Sequence, residues 1–423
     1  MNGMEIERIE GIEVLDSRGM PTVRTKVTLR CGAFGIASVP SGASTGKYEA
    51  YELRDNDGEK YFGKGVIKAI ENIRNKITPA LLGVPATDGQ RCDRIMITLD
   101  GTHNKSNLGA NAILSVSIAL HKAAANALGI PLYRYLGGFS SNRLPIPMMN
   151  IINGGMHASN DLDIQEFMIL PTGASSFSEG VRMCAEIYQT LKRSLIARGS
   201  NVSVGDEGGF SPSFGNDEAA IEAILEAIDK AGYRAFDDVR LGLDVASGGW
   251  FQMGEYRMEK SKKHRTREQL LAYYKELCEK YPIISIEDGF AEDDDEGWKS
   301  LTKELGRDHL LVGDDLFVTN AERLREGIRK GIANAVLIKP NQIGTVSETA
   351  SCIELAKQHG YKVILSHRSG DTGDTAIADM AVAFGADLFK SGAPCRSERT
   401  EKYNRLLMIE NEMFCPTYAE NLI

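Results

Sequence analysis

No apolar stretch in this chain of 423 residues is long enough to span a bilayer. Residues 1–10 are acidic and mixed and lack the apolar core of a secretory leader. Cysteine is sparse and unpatterned: seven residues, an odd number, with no C-x-x-C spacing. That excludes a disulfide framework and leaves reduced thiols in a cytoplasm as the expectation. Positive charge is in deficit, with 49 Lys and Arg against 58 Asp and Glu for a net charge of −9. The deficit argues against a nucleic-acid partner or an anionic membrane surface. There is no short-period repeat and no low-complexity segment. What is present is ordinary globular sequence, 42% hydrophobic and 25% charged, enough for a sizeable core. The length exceeds one ordinary domain; a barrel of roughly 250 residues leaves room for a second.

Between Leu241 and Lys390, short apolar runs end again and again in a charged residue. Leu241-Gly242-Leu243 ends in Asp244, Ile283 to Ile286 in Glu287-Asp288, and Leu310 to Gly313 in Asp314-Asp315. Ala335 to Ile338 ends in Lys339, Val363 to Leu365 in Ser366-His367-Arg368, and Leu388-Phe389 in Lys390. Each run has the length and β-branched content of a strand buried on both faces, and helical patterns lie between most of them. Such alternation predicts an α/β fold, an eight-stranded (β/α) TIM-like barrel over residues 141–423. Its strand C-termini converge on one mouth.

Residues 1–140 predict an α+β capping domain. Thr22 to Val39 alternate around Cys31–Gly35, a hairpin. Pro40-Ser41-Gly42-Ala43-Ser44-Thr45-Gly46 is either a flexible turn or a lid that brings a hydroxyl to a metal or phosphate. Ile67, Ile70, Ile73 and Ile77 share a helix face that ends at Pro79. Ala110 to Leu128 is apolar on every side, a buried helix. The boundary falls near Ser140 to Asn142. Beyond it, His157 sits in a loop, and Gln165-Glu166 lies inside the strand-like run Ile164 to Leu170, where a carboxylate must be paired, hydrated or functional. Val202 to Gly205 reads as another run, ending in Asp206-Glu207. Asp217 is expected to cap a helix, and Thr345 with Glu348 to form a capping box.

Asp244, Glu287 and Asp314 end successive strands. Three hard oxygen donors around one mouth suit magnesium; read singly, each is also compatible with a helix N-cap. Lys339 and Lys390 end two further strands. A lysine whose pKa is lowered by cationic neighbours and burial can act as a base near neutral pH, whereas an ion-pair partner to the acids is the plainer role. Ser366-His367-Arg368-Ser369 offers a guanidinium and hydroxyls suited to phosphate. Glu166, Glu207 and His157 fall on the opposite side of the barrel circuit from Lys339, and facing carboxylates that share a proton make a general acid. Base, acid, metal and phosphate clamp together point to proton removal beside a carboxylate, then loss of hydroxide from the next carbon.

These segments resemble the enolase family. The resemblance is carried by Asp16-Ser17-Arg18-Gly19, Ser41 to Gly46, Leu108 to Leu114, Gln165-Glu166-Phe167-Met168, Gly205 to Phe210, Ser285 to Asp288, Gly313 to Leu316, Leu337 to Gly344, Ser366 to Gly370 and Cys395 to Arg399. It implies a barrel of the enolase type and reversible, magnesium-dependent dehydration of 2-phospho-D-glycerate to phosphoenolpyruvate, with two Mg2+ per site. A lysine base with magnesium is the general pattern of that superfamily. By resemblance, Asp244, Glu287 and Asp314 hold the first ion and Ser41 the second. Lys339 is the base, Glu207 supported by Glu166 the acid, and His157 a closing histidine. Arg368 and Ser369 clamp phosphate and Lys390 contacts carboxylate; Gln165 and His367 join the expected substrate contacts. Family members form dimers or octamers.

The departures from the family pattern cluster. Ile12 and Arg24 stand where Arg and Glu are usual, and Met408 and Asn411 where Arg and Glu are usual. Both members of each interface pair have changed, so an altered homo-oligomer interface is expected. Met20 replaces an Asn, Met156 replaces a small residue beside His157, and Lys47 follows the lid where an acid is common. A paralogous hydratase acting on a phosphonate analogue and a non-catalytic protein reusing the fold are the competing readings.

Overall fold

The computed structural model describes residues 3–42, 46–419 and 422. β1 (Ile6–Leu15), β2 (Pro21–Leu29) and β3 (Phe34–Ser38) form an antiparallel sheet in that order. The expected hairpin is β2–β3. β1 was not legible as a strand, because only Ile6 and Ile9 of its ten residues are buried and the rest carries no clean alternation. The helix Ala110–Leu128 lies against this sheet and is buried along most of its length, as its composition predicts. The two approach closely at Gly35, where a Cβ would stand 2.2 Å from the Ala119 carbonyl oxygen. Only glycine fits that contact.

Two expectations for the cap need correction. Ile67 is 48% exposed, so it does not share the buried face of Ile70, Ile73 and Ile77. Nor does Pro79 end the helix. A wide π turn at Ile73–Ile77 sets Pro79 in the first turn of Thr78–Leu81, where its missing N–H is tolerated.

The barrel strands are β4 (Ile146–Asn153), β5 (Glu166–Leu170), β6 (Arg240–Asp244), β7 (Ile283–Glu287), β8 (Leu310–Gly313), β9 (Ala335–Ile338), β10 (Lys362–Ser366) and β11 (Leu388–Lys390). They close a ring in the order β7-β8-β9-β10-β11-β4-β5-β6. β5 runs antiparallel to β4 and β6, whereas β6–β7 and β11–β4 are parallel. Met148, Met168, Leu310, Val312, Leu337, Ile364 and Leu388 belong to the cluster that fills the interior, so the barrel is a packed core and not a pore.

Three further segments differ from expectation. Val202 to Gly205 is no strand; its sheet-like pairing is limited to an isolated bridge from Val204 to Phe210, which also bridges Ile152, so Glu207 sits on a loop. Asn216, not Asp217, caps the helix Asp217–Lys230, and buried Asp217 accepts the Asp163 and Ile164 N–H groups. Thr345 caps its helix, but the Glu348 carboxylate takes the Thr345 hydroxyl and the Lys105 ammonium instead of closing a reciprocal box. Lys105–Glu348, Lys122–Asp374 and Glu49–Arg368 bind cap to barrel at 2.9, 2.7 and 2.8 Å. Among the described residues no single helix is long and apolar enough to cross a membrane.

Candidate active site

Strand register sets the site. Glu166, Asp244 and Glu287 are backbone partners across β5, β6 and β7, so three carboxylates stand at one level of the rim. Glu166 opens β5 where its neighbours end, because β5 runs the other way. Ser366 and Lys390 pair likewise across β10 and β11. Asp314 and Lys339 follow β8 and β9 directly. Between rim and cap lies a cavity of about 600 Å³. It is lined by His157, Gln165, Glu166, Glu207, Asp244, Asp314, Lys339, His367, Arg368, Ser369 and Lys390 of the expected residues. Glu287 lies beneath this surface, fully buried.

Lys390 is 2% exposed and holds the acids together. Its Nζ donates to Glu287 at 2.8 Å and Asp244 at 3.2 Å, and stands 3.1 Å from Glu166 Oε2. Burial disfavours its charge, but the four surrounding carboxylates outweigh that and keep it protonated far above the ordinary lysine range. Lys339 contacts Asp314, which also accepts from Gln342 Nε2 at 2.9 Å. Burial and the charges of Arg368 and Lys390 pull the Lys339 pKa down, yet Asp314 and Glu287 carry it above its ordinary value.

Across the ring, His157 Nδ1 stands 3.6 Å from Glu207 Oε1 and 3.8 Å from Glu166 Oε1. Those separations are too long for hydrogen bonds, so the attraction is Coulombic. Burial would neutralise His157, but the charges of Glu207 and Asp244 raise its pKa. The two glutamates part company. Burial and the Glu207 charge push Glu166 far up; burial also raises Glu207, but the charges of His157 and Arg399 outweigh it and hold Glu207 well below the carboxylate range. A proton shared by the pair therefore favours Glu166 over Glu207. Asn150 Nδ2 donates to Glu207 Oε2 at 3.0 Å and fixes its orientation.

Arg368 is paired with Glu49 of the cap, at 2.8 and 3.2 Å, and donates to Asn341 Oδ1 at 3.2 Å. Burial and the Arg399 charge drive the pKa of His367 far down, so it is neutral. Ser41 does not line the cavity. Its backbone pairs with Gly370, which turns the hydroxyl into the seam between cap and barrel, where it donates to Asp16 Oδ2 and accepts from Arg18, both at 3.0 Å. The remaining expected lid residues 43–45 lie outside the described residues.

Four participants escaped the sequence reading. Asp288 accepts the N–H groups of Asp314 and Asp315 at 2.9 Å each, from a backbone at φ +44°, and so aims Asp314. Its doublet with Glu287 was the visible signal. Asp315 completes that cluster, Glu49 pairs Arg368, and Arg399 lies within a quoted motif that suggested no role.

Asp244, Glu287 and Asp314 are buried carboxylates on adjacent strands, donors of the kind a hard divalent cation takes, and the ammonium groups of Lys390 and Lys339 are paired with them here. Two tighter groups, Asp288–Asp314–Asp315 and His157–Glu166–Glu207, each bring three donor atoms within 4.8 Å of one another. The acidic clusters could hold a metal; the histidine in the second makes it a poorer match to magnesium.

Fold and rim together define a capped (β/α)-barrel protein with acidic and basic side chains gathered at its strand ends. A family model described as Enolase, N-terminal domain matches residues 6–136, and one described as Enolase, C-terminal TIM barrel domain matches residues 141–419. The chain belongs to the enolase family. Its family places it among enolase-type hydratases, or lyases.

Proposed function

We propose that the chain is a phosphopyruvate hydratase, interconverting 2-phospho-D-glycerate and phosphoenolpyruvate. One observation carries the reading. β9, which positions Lys339, lies four places around the eight-strand ring from β5, which positions Glu166. A base and a proton-holding acid thus face each other across one cavity, the arrangement an anti elimination needs.

Lys339 takes the proton from C2. Withdrawal of Asp314 from its ammonium leaves burial, Arg368 and Lys390, which favour the neutral amine, against Glu287, which opposes it. The Glu166–Glu207 pair gives a proton to the departing hydroxyl at C3, with His157 beside both carboxylates. Arg368 and Ser369 hold the phosphoryl group, Lys390 adds positive charge near the substrate carboxylate, and Gln165 and His367 line the remaining wall. Magnesium held by Asp244, Glu287 and Asp314 would supply positive charge where the carboxylate gains negative charge. Two ions are expected; Ser41 would have to leave Asp16 and Arg18 to reach the second.

Appearance of enol absorbance from 2-phosphoglycerate with magnesium tests the reading. Unchanged turnover in Lys339→Ala would sink the mechanism. Met156, 85% exposed, is the family departure that lines the cavity, and it keeps a phosphonate analogue in view. A clear kinetic preference for 2-phosphoglycerate removes that alternative. A division at 140/141 is supported by the change from capping sheet and helices to barrel strands. Cytoplasmic residence rests on the seven unpaired cysteines. We also propose a homo-oligomer with a repacked interface at Ile12, Arg24, Met408 and Asn411. Ile12 and Arg24 are cross-strand partners, and Ile12 and Met408 are apolar and 53% and 51% exposed. A monomeric mass in light scattering would end that part.

A further inference from the structure

Arg399 is completely buried, yet the expected chemistry gives it no task. The turn before its helix, Ser397–Glu412, passes through Arg396 at φ +69° and aims Arg399 inward beneath the rim. There its guanidinium meets four acceptors: His367 Nδ1 at 2.5 Å, the Arg368 carbonyl at 2.5 Å, the Ser369 carbonyl at 2.7 Å and the Asp206 carbonyl at 3.0 Å. Asp371 at 3.7 Å and Glu398 at 3.4 Å balance its charge.

A guanidinium has only donors and does not lose a proton in a protein. Its partner nitrogen on His367 must therefore present a lone pair. An imidazolium has none, so His367 is neutral and its proton sits on Nε2. That nitrogen stands 3.9 Å from Glu207 Oε1. The backbone at Gly392 leaves room for the arrangement, since a Cβ there would lie 3.1 Å from Arg399 Cδ, 3.2 Å from His367 Cε1 and 2.5 Å from the Glu207 carbonyl oxygen.

We propose that Arg399 is the positioning residue of this site. One buried guanidinium fixes His367 as the Nε2–H tautomer directed toward Glu207, and it ties the loop carrying Glu207 to the loop carrying Arg368 and Ser369. The acid pair and the anion-holding loop then keep one relative geometry. His367 faces Glu207 as a neutral N–H group 3.9 Å away and not as a proton-transfer acid. The tautomer follows from geometry alone; its value to catalysis rests on the hydratase reading above.

The test is long-range proton–nitrogen correlation of the imidazoles in the intact protein. Seven histidines give seven patterns, and the one missing in His367→Asn is that of His367. An Nε2–H pattern near neutral pH is expected; an Nδ1–H or imidazolium pattern overturns the proposal without any Arg399 variant. Arg399→Met and Arg399→Lys are then compared with Lys402→Met. Lys402 lies on the same helix and is also buried, bonding Asp371 at 3.0 Å and the Thr372 and Glu398 carbonyls at 2.8 and 2.7 Å. Arg399→Met should lower kcat on the order of 10- to 100-fold and mix the His367 tautomers, with Arg399→Lys between it and wild type. Lys402→Met should lower the thermal midpoint while leaving the tautomer in place. If kcat falls only in step with thermal midpoint in all three variants, with the tautomer unmoved, Arg399 is merely structural and the proposal fails. If wild-type protein turns over no 2-phosphoglycerate, the functional reading falls, and the tautomer stands or falls on its own spectrum.

Discussion

Replacing Lys390 by methionine isolates the charge that binds the rim together. Methionine keeps most of the aliphatic stem and its packing, so the loss is chiefly electrostatic. In wild type the ammonium lies 2.8 Å from Glu287, 3.1 Å from Glu166 and 3.2 Å from Asp244, at 2% exposure. Without it three buried carboxylates face one another uncompensated. Removing one partner of a buried pair costs about 3–5 kcal/mol, and protonation of Glu166 limits the sum to that range. Equilibrium urea unfolding followed by circular dichroism measures the loss. The double variant Lys390→Met, Glu287→Gln removes one of the stranded charges and should recover at least about 1 kcal/mol relative to the single variant. A single variant that loses less than about 1 kcal/mol, or a double variant with no recovery, would refute the view that Lys390 holds the acids in place.

Other perturbations bear on separate parts of the structure. Asp217, buried beside Asp163, has its pKa pushed up to about 7. A raised carboxylate destabilises as it ionises, so wild-type stability should fall as pH rises from about 4 to about 7 by a few kcal/mol at most. Asp217→Asn retains Oδ1 for both N–H groups and should flatten that slope; an unchanged slope would refute the assignment. Glu49→Gln removes the carboxylate that pairs Arg368, so titration calorimetry should find inorganic phosphate bound roughly tenfold more tightly, and weaker binding would contradict this competition. Magnesium should raise the thermal midpoint of wild type and should not do so in Glu287→Gln; an equal rise in both would remove Glu287 from the metal site.

Much of the barrel was legible because buried parallel strands leave a simple trace: a continuous apolar run stopped by a charge. That trace located Asp244, Glu287, Asp314, Lys339 and Lys390, and register then set Asp244 and Glu287 level with Glu166. It failed at Val202 to Gly205, where a similar run is only a bridged loop. It also passed over β1, whose exposed face breaks the alternation. Charge pairing was the least legible layer, since partners meet only in the fold. Glu49 meets Arg368 from another domain-like unit, Ser41 turns to Asp16, and Lys390 gathers three acids. The placement of the Glu166–Glu207 proton depended on His157 and Arg399, which no linear pattern joins.

Exchange of the C2 hydrogen of 2-phosphoglycerate with deuterated solvent, followed by proton NMR in the presence of magnesium, separates base from acid most directly. Proton removal by Lys339 opposite a Glu166–Glu207 acid requires exchange to persist in Glu207→Gln while elimination falls, and to vanish in Lys339→Ala. Exchange that survives in Lys339→Ala at the wild-type rate would contradict it.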